Sequence, residues 1–365
     1  MNLCPKRCPG FSATRRLAGA VLLMLVLMPI GEVARAEVQV TAVKGEVGLL
    51  RAGATREEAA GKSSLLATGD RLRTGHHSWA ALALPDGSRI MLTSDSDFLV
   101  RDFDAAQRSG IFSLLNGKLR ANITPQTDRP ADYRFHTRTA IAGLRGTDFA
   151  LIHRGQANVF FGNTGLVEVR GLEPGGRLLA ADTVVQTTRG KTPVEPIAIE
   201  PDSPLARARR VLNEATEQPP ASWSEEDQLA NVIARWNVNY SRYLADAGRH
   251  DEALHILQVA MDLSDDVNLQ ADVRLQRGAV YGRAAAGGEL ALAAYAPLLE
   301  LPLAMPQRET ALYMTGMVLY QLGRSSEALA RLQQYLREYP AGRHGASADT
   351  LLRMLGAGQG EAQPR

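Results

Sequence analysis

The side chains able to do chemistry are few in this sequence and poorly spaced for it. His76-His77, His136 and His153 lack the i, i+4 spacing by which one helix presents two imidazoles to a metal ion, as in His-Glu-x-x-His. Exposed or strand-face histidines are the expectation. Asp70, Asp86, Asp95, Asp97 and Asp148 raise the question of paired carboxylates, which need two such groups converging in one cleft. Asp70 and Asp86 instead sit in glycine-containing turns, where Asp hydrogen-bonds its own backbone. Ser94-Asp95-Ser96-Asp97 invites a calcium reading but lacks the glycine and terminal Glu of an EF-hand loop, so a surface turn is expected. No GxSxG, phosphate loop or dinucleotide fingerprint occurs in the chain. The sequence therefore predicts no catalytic residue, no metal and no cofactor.

The elements that would position these residues are short strands. Val38, Val40 and Ala42 alternate, and Gly69-Asp70-Arg71-Leu72-Arg73-Thr74-Gly75 is a turn-rich lead into Ser78–Leu84. Pro85-Asp86-Gly87-Ser88 then separates that run from Ile90 and Leu92, a strong hairpin signal. Ile111–Leu115 and Lys118–Ile123 flank Asn116-Gly117; Asn158–Phe161 and Leu166–Arg170 flank Gly162-Asn163-Thr164-Gly165. With no helical period among them, residues 37–190 read as an all-β module.

The module is organised around Thr137–Phe149, TRTAIAGLRGTDF. Tyr133, Phe135, Thr137 and Thr139 alternate before it, and Phe149, Leu151 and His153 alternate after it. Between them lies a bend with Gly143 and Gly146, which adopt backbone angles closed to other residues. Arg145 lies in the bend, where its fork of donors suits the bracing of neighbouring carbonyls. Leu144-Arg145-Gly146-Thr147 with Phe149, following Gly69-Asp70, Thr74-Gly75 and Asp86-Gly87, resembles the signature of the FecR-domain family. The resemblance spans roughly Val38 to Thr188. It implies a compact β fold, sandwich-like or solenoid-like, with these signature residues in structural roles. It also implies sensing or binding in a bacterial envelope. In the siderophore regulators of that family a sigma-regulating segment and a membrane span precede the domain. Here a signal-like segment precedes it, so only envelope binding or sensing is carried over.

That segment is residues 1–36. Lys6, Arg7, Arg15 and Arg16 precede an apolar run from Leu17 to Ile30, and Ala34-Arg35-Ala36 supplies a small-x-small cleavage site before Glu37. The run is shorter than the roughly 20 residues that span a bilayer. A cleaved signal peptide, a periplasmic mature chain and no stable membrane span are expected. Cys4 and Cys8 would leave with it, removing every thiol. The whole chain of 365 residues has room for two or three domains, and 45% hydrophobic with 22% charged residues is ordinary for a soluble protein. A formal net charge of +2 gives no support for nucleic acid as a partner. Arg207-Ala208-Arg209-Arg210 reads as a solvated helix face.

Residues 191–223 contain Pro193, Pro196, Pro201, Pro204 and Pro219-Pro220 and read as a linker with a short helix at Leu205–Glu217. From 224 to 356 the period is helical. Ala253, Ala291 and Ala328 recur at separations of 38 and 37 residues. With Gly316, Gly323 and Pro340 they resemble the tetratricopeptide repeat, in which small residues sit where two antiparallel helices touch. Residues 357–365 read as a disordered tail. The whole predicts a multidomain protein, an all-β FecR-like module followed by an α-helical repeat domain that acts as an interaction scaffold. Its partner would be an envelope protein or peptide, with Asn237, Tyr240, Arg242, Tyr313 and Tyr320 as candidate contacts. The alternative is a non-catalytic cell-wall binder taking a glycan or peptidoglycan on exposed aromatics, for which Trp79, Tyr133, Phe160 and Phe161 are the candidates.

Overall fold

The computed structural model describes residues 37–360 except 127, 129, 145 and 285. Arg145 of the signature bend, the signal segment 1–36 and residues 361–365 lie outside the described residues.

The chain opens with β1 (Val38–Lys44), β2 (Val47–Leu50), β3 (Glu58–Ala59), β4 (Leu65–Leu66), β5 (Arg71–Thr74) and β6 (Trp79–Ala83). β7 (Arg89–Leu92), β8 (Asp97–Asp104), β9 (Ser109–Asn122), β10 (Asp132–His136), β11 (Ile141–Leu144) and β12 (Asp148–Arg154) follow. β13 (Ala157–Thr164), β14 (Leu166–Arg170), β15 (Gly176–Ala180), β16 (Thr183–Thr188) and β17 (Ile197–Ala198) complete the strands. They form two layers that share one strand. The first runs β4–β1–β6–β7–β9–β12–β13–β16–β17, and the second β3–β2–β5–β8–β9–β10–β11–β14–β15. Every pairing among the described residues is antiparallel except β9 with β10. A solenoid stacks parallel coils, so the pairing is that of a sandwich.

Strand β9 is where the sequence signal misleads. Asn116-Gly117 is not a hairpin turn: β9 runs straight through it, paired with β8 before it and with β7 and β12 after it. Gly117 takes φ +102, and a Cβ there would collide with the backbone and side chain of Ser96. Ser96 Oγ donates to the Lys118 carbonyl at 3.0 Å and accepts from Lys118 N at 2.9 Å. The glycine lets one strand bend from one layer into the other. Pro85–Ser88, by contrast, is the expected hairpin turn, with Gly87 at φ +83 between β6 and β7.

Between the layers lies one apolar core, with Val40, Leu82, Leu119, Phe149 and Leu151 from one side and Leu72, Phe98, Phe112, Tyr133 and Phe135 from the other. The predicted alternation holds in β10, where Tyr133 and Phe135 are buried and Asp132 and Arg134 exposed. It fails in β12, which is buried on both faces up to its last residue. The cause is the helical half.

The helices are α1 (Pro204–Glu217), α2 (Ser224–Asp227), α3 (Leu229–Asp246), α4 (His250–Leu263), α5 (Val267–Gly282), α6 (Gly288–Leu299), α7 (Pro306–Gln321), α8 (Ser325–Glu338) and α9 (Gly345–Gly360). A second core joins Ala150, Ile152, Val159, Phe161 and Val184 on the outer side of the first layer to Leu212 of α1, Ile233 of α3 and Ile256 of α4. Residues 191–223 are therefore not a free linker. Val194 and Ile199 are buried in that core, and α1, capped by Ser203 Oγ accepting from Ala206 N at 3.1 Å, lies along it. Charged pairs rim the seam: Arg209–Asp182 at 2.7 Å, Arg189–Asp262 at 2.9 Å, Arg154–Asp265 at 2.6 Å and Arg120–Glu217 at 3.1 Å. The expected exposed face at Arg207–Arg210 is thus partly spent on this seam.

Beyond α4 the helices continue as antiparallel pairs, α5 with α6 and α7 with α8. Gly278 lies under the Tyr295 ring and Gly316 under Leu332, so the small residues sit where paired helices touch. Helix α9 runs to Gly360, past the boundary expected at 356.

Candidate functional site

The signature residues are built into the scaffold. Asp70 is buried, accepts from Ala52 N at 2.9 Å and Ala67 N at 3.1 Å, and meets Arg51 at 2.9 Å. Gly69 N donates to the Val100 carbonyl at 2.7 Å and Gly75 N to that of Glu46 at 2.8 Å. Thr74 Oγ1 donates to the Thr93 carbonyl at 2.6 Å. Asp86 accepts from Ser88 N at 2.9 Å, from Arg108 Nη2 at 2.8 Å and from the Tyr133 hydroxyl at 2.9 Å. Burial alone would raise the Asp86 pKa, but these hydrogen bonds outweigh it and hold the carboxyl below its ordinary value. In the bend Leu144 and Thr147 are buried, Gly146 takes φ +70 against Pro125, and Phe149 meets Phe135 edge-on at 5.4 Å. Asp148 is clasped by Arg120 at 2.6 Å and Asn163 Nδ2 at 2.9 Å. These carboxylates serve the architecture singly; no two of them share a cleft as a catalytic pair. Ser94 and Ser96, expected on a surface turn, are buried, and Asp97 pairs with Arg71.

The aromatics offered for glycan stacking are in the interior. Trp79, Tyr133, Phe160 and Phe161 are all buried, and Trp79 Nε1 donates to the Thr216 carbonyl of α1 at 2.8 Å. That reading loses its surface.

Two open faces bear on a binding role. One is a groove of about 830 Å³ on the outer side of β10, β11, β14 and β15, beside the signature bend. Leu166 and Leu178 stand exposed in it between the ion pairs Asp132–Arg134 and Glu168–Arg170. His136 also lines it; burial, with Arg101 and Arg134 nearby, lowers its pKa.

The other is the face across the first helices of the repeats. Arg235 of α3 meets Asp272 of α5 at 3.1 Å, and Gln307 of α7 donates to the same carboxylate at 2.8 Å. Arg242 donates to Gln276 Oε1 at 3.1 Å, and Arg283 pairs with Asp246 at 2.7 Å. Arg235, Asn239, Arg242 and Asp246 are exposed along one stripe of α3. Of the candidate contacts, Arg242 is on this face. Asn237 is not: it is fully buried and exchanges two hydrogen bonds with Gln186 of β16, at 2.9 and 2.8 Å. Asn237 sits on the buried stripe of α3, where its amide meets the β module, not a partner. Tyr240 is half-buried between Trp236, 4.6 Å away, and Tyr243, 5.8 Å away. Tyr313 stacks on His344 at 4.4 Å, and it and Tyr320 pack into the α7–α9 core. Sequence reasoning missed Arg235 and the exposed Tyr243; their spacing of seven from Arg242 and Trp236 was the available signal.

Comparison with known proteins agrees with both halves of this architecture. Residues 70–168 match the family model described as FecR protein, and residues 310–341 that of the tetratricopeptide repeat. No curated protein matches the chain. Two solved structures from Parabacteroides distasonis, each titled a "putative anti-sigma factor", are similar in part. The first is 16% identical over 35% of this chain and 59% of its own, with TM-score 0.30, and the second 13% identical over 40% and 73%, with TM-score 0.31. The chain thus spans little over half of the first, and neither likeness bears on the argument. A FecR domain beside a tetratricopeptide repeat fits a sensing or regulatory protein of envelope type, and both families are typically non-catalytic. No helix among the described residues is long and apolar enough to cross a membrane.

Proposed function

We propose that this is an exported, non-enzymatic envelope protein in which the FecR-like module senses or binds and the helical array docks a protein or peptide partner. The observation that carries the docking role is the polar face across α3, α5 and α7, whose helices are bridged by Arg235–Asp272–Gln307 and Arg242–Gln276. Side chains already fixed by their neighbours lose little freedom on binding, which favours affinity. The same face is continuous with a helix welded to the β module, so an event at one reaches the other without a flexible joint.

Capture of partners from envelope extract by the chain beginning at Glu37 tests this. Arg235→Ala with Arg242→Ala removes two exposed charges at a stability cost of roughly 0–1 kcal/mol each. The double variant is expected to lose the captured partner while melting like the parent. Unchanged capture by that variant, with loss on Leu166→Asp, would move the contact to the β-module groove and refute the assignment.

A further inference from the structure

The turn between β5 and β6 brings two imidazoles to a carboxylate from the far side of the domain seam. His76 and His77 are stacked, ring centroids 3.8 Å apart, and His77 Nε2 lies 3.1 Å from Asp227 Oδ2 at the end of α2. A ligand atom from each of His76, His77 and Asp227 lies within 4.8 Å of the others. Consecutive side chains of a strand point to opposite faces. Here His77 takes φ +53, and its amide donates to Ser94 Oγ at 2.8 Å, which turns both rings to one side.

We propose that His76, His77 and Asp227 form a binding site for a divalent transition-metal ion of the zinc type, independent of the partner-docking face. Two neutral imidazoles and one carboxylate are a common zinc donor set, leaving one position for water. With metal–ligand bonds of about 2.0–2.2 Å, tetrahedral ligands stand roughly 3.3–3.5 Å apart. The His77–Asp227 separation is already near that value, and the exposed His76 ring turns out of the stack to bring its nitrogen to the same point. Asp95 supplies the outer partner: its Oδ2 lies 3.1 Å from His76 Nδ1, so Nδ1–H donates to it and Nε2 is left to face a metal. Trp223 stacks on His77 at 5.4 Å with an interplanar angle of 12°, holding the ring. The short helix bearing Asp227 is itself anchored. Its neighbour Glu226 is buried, meets Lys118 Nζ at 2.8 Å and accepts from Thr93 Oγ1 at 3.2 Å. The candidate ligands are exposed enough for an ion to enter from solvent. A bound ion would clip the β5–β6 turn to α2, joining segments 150 residues apart.

The test is calorimetric titration of the tag-free chain beginning at Glu37 with zinc chloride after chelator treatment. One zinc per chain, with no binding of magnesium, is expected. His77→Ala and Asp227→Asn should each weaken zinc at least tenfold, and Asp95→Asn about tenfold as an outer-shell partner. Zinc should raise the melting temperature of the parent and not of Asp227→Asn, an isosteric change at a partly exposed position. No saturable heat from the parent, or parent-like affinity in both His77→Ala and Asp227→Asn, would overturn the site.

Discussion

Acidification is expected to destabilise this protein through His255. His255 lies on α4, and its Nε2 is buried with no hydrogen-bond partner among the described residues. Burial, helped by the charge of Lys191 and opposed by Glu173 and Glu252, lowers its pKa from 6.5 to about 4. The sign follows from proton binding: the unfolded chain takes up a proton near 6.5 that the fold refuses until about 4. The stability contributed by the neutral ring is complete above 6.5 and is lost as pH falls toward 4. From about pH 7.5 to about pH 5 the unfolded chain gains nearly thirtyfold in statistical weight from this site, a loss of about 2 kcal/mol. His255→Leu keeps a side chain of similar bulk and cannot titrate. Urea unfolding of both proteins at the two pH values isolates the effect, because Asp86, Asp262 and Glu226 titrate alike in both and cancel. The parent is expected to lose about 2 kcal/mol more than the variant on acidification. Parallel pH dependence in the two proteins would refute the buried-histidine account.

Two further outcomes bear on the fold. Gly117→Ala forces a side chain into a left-handed backbone against Ser96, and should cost about 3 kcal/mol from strain and overpacking together; an unchanged urea midpoint would mean β9 bends by other means. Asn237→Ala strands the Gln186 amide and should cost about 1–3 kcal/mol, with a second change at Gln186 adding less than its own single effect; simple additivity in a double-mutant cycle would dissolve the pair.

Local signals were legible where one stretch of chain decides the outcome. Asp86-Gly87 makes the hairpin that its flanking strands announce, and Gly316 at a contact between paired helices is what the tetratricopeptide resemblance implied. Asn116-Gly117 carries the same local signal as a hairpin, and only Ser96 and the two layers on either side make it a bend. Asn237 and Asp227 were beyond reach for a different reason. Their partners, Gln186 and His77, lie 51 and 150 residues away, and no periodicity within a helix announces a contact with a distant strand. The buried Trp79 and Phe161 show the same limit: α1 and the helices beyond it cover them, and nothing local in the strands announces that cover.

Strand β12 has no wet side. Phe149 and Leu151 face the sandwich interior while Ala150 and Ile152 face α1, α3 and α4, so the outer surface of the first layer is an interior of the whole molecule. A chain cut after Gly190, where family resemblance would place the scissors, would uncover Phe161, Val159 and Val184 as one contiguous greasy wall. Such a fragment would be expected to clump or recruit itself as its own cover. For folding and handling, the strands and the helices that share this core are expected to behave as one unit.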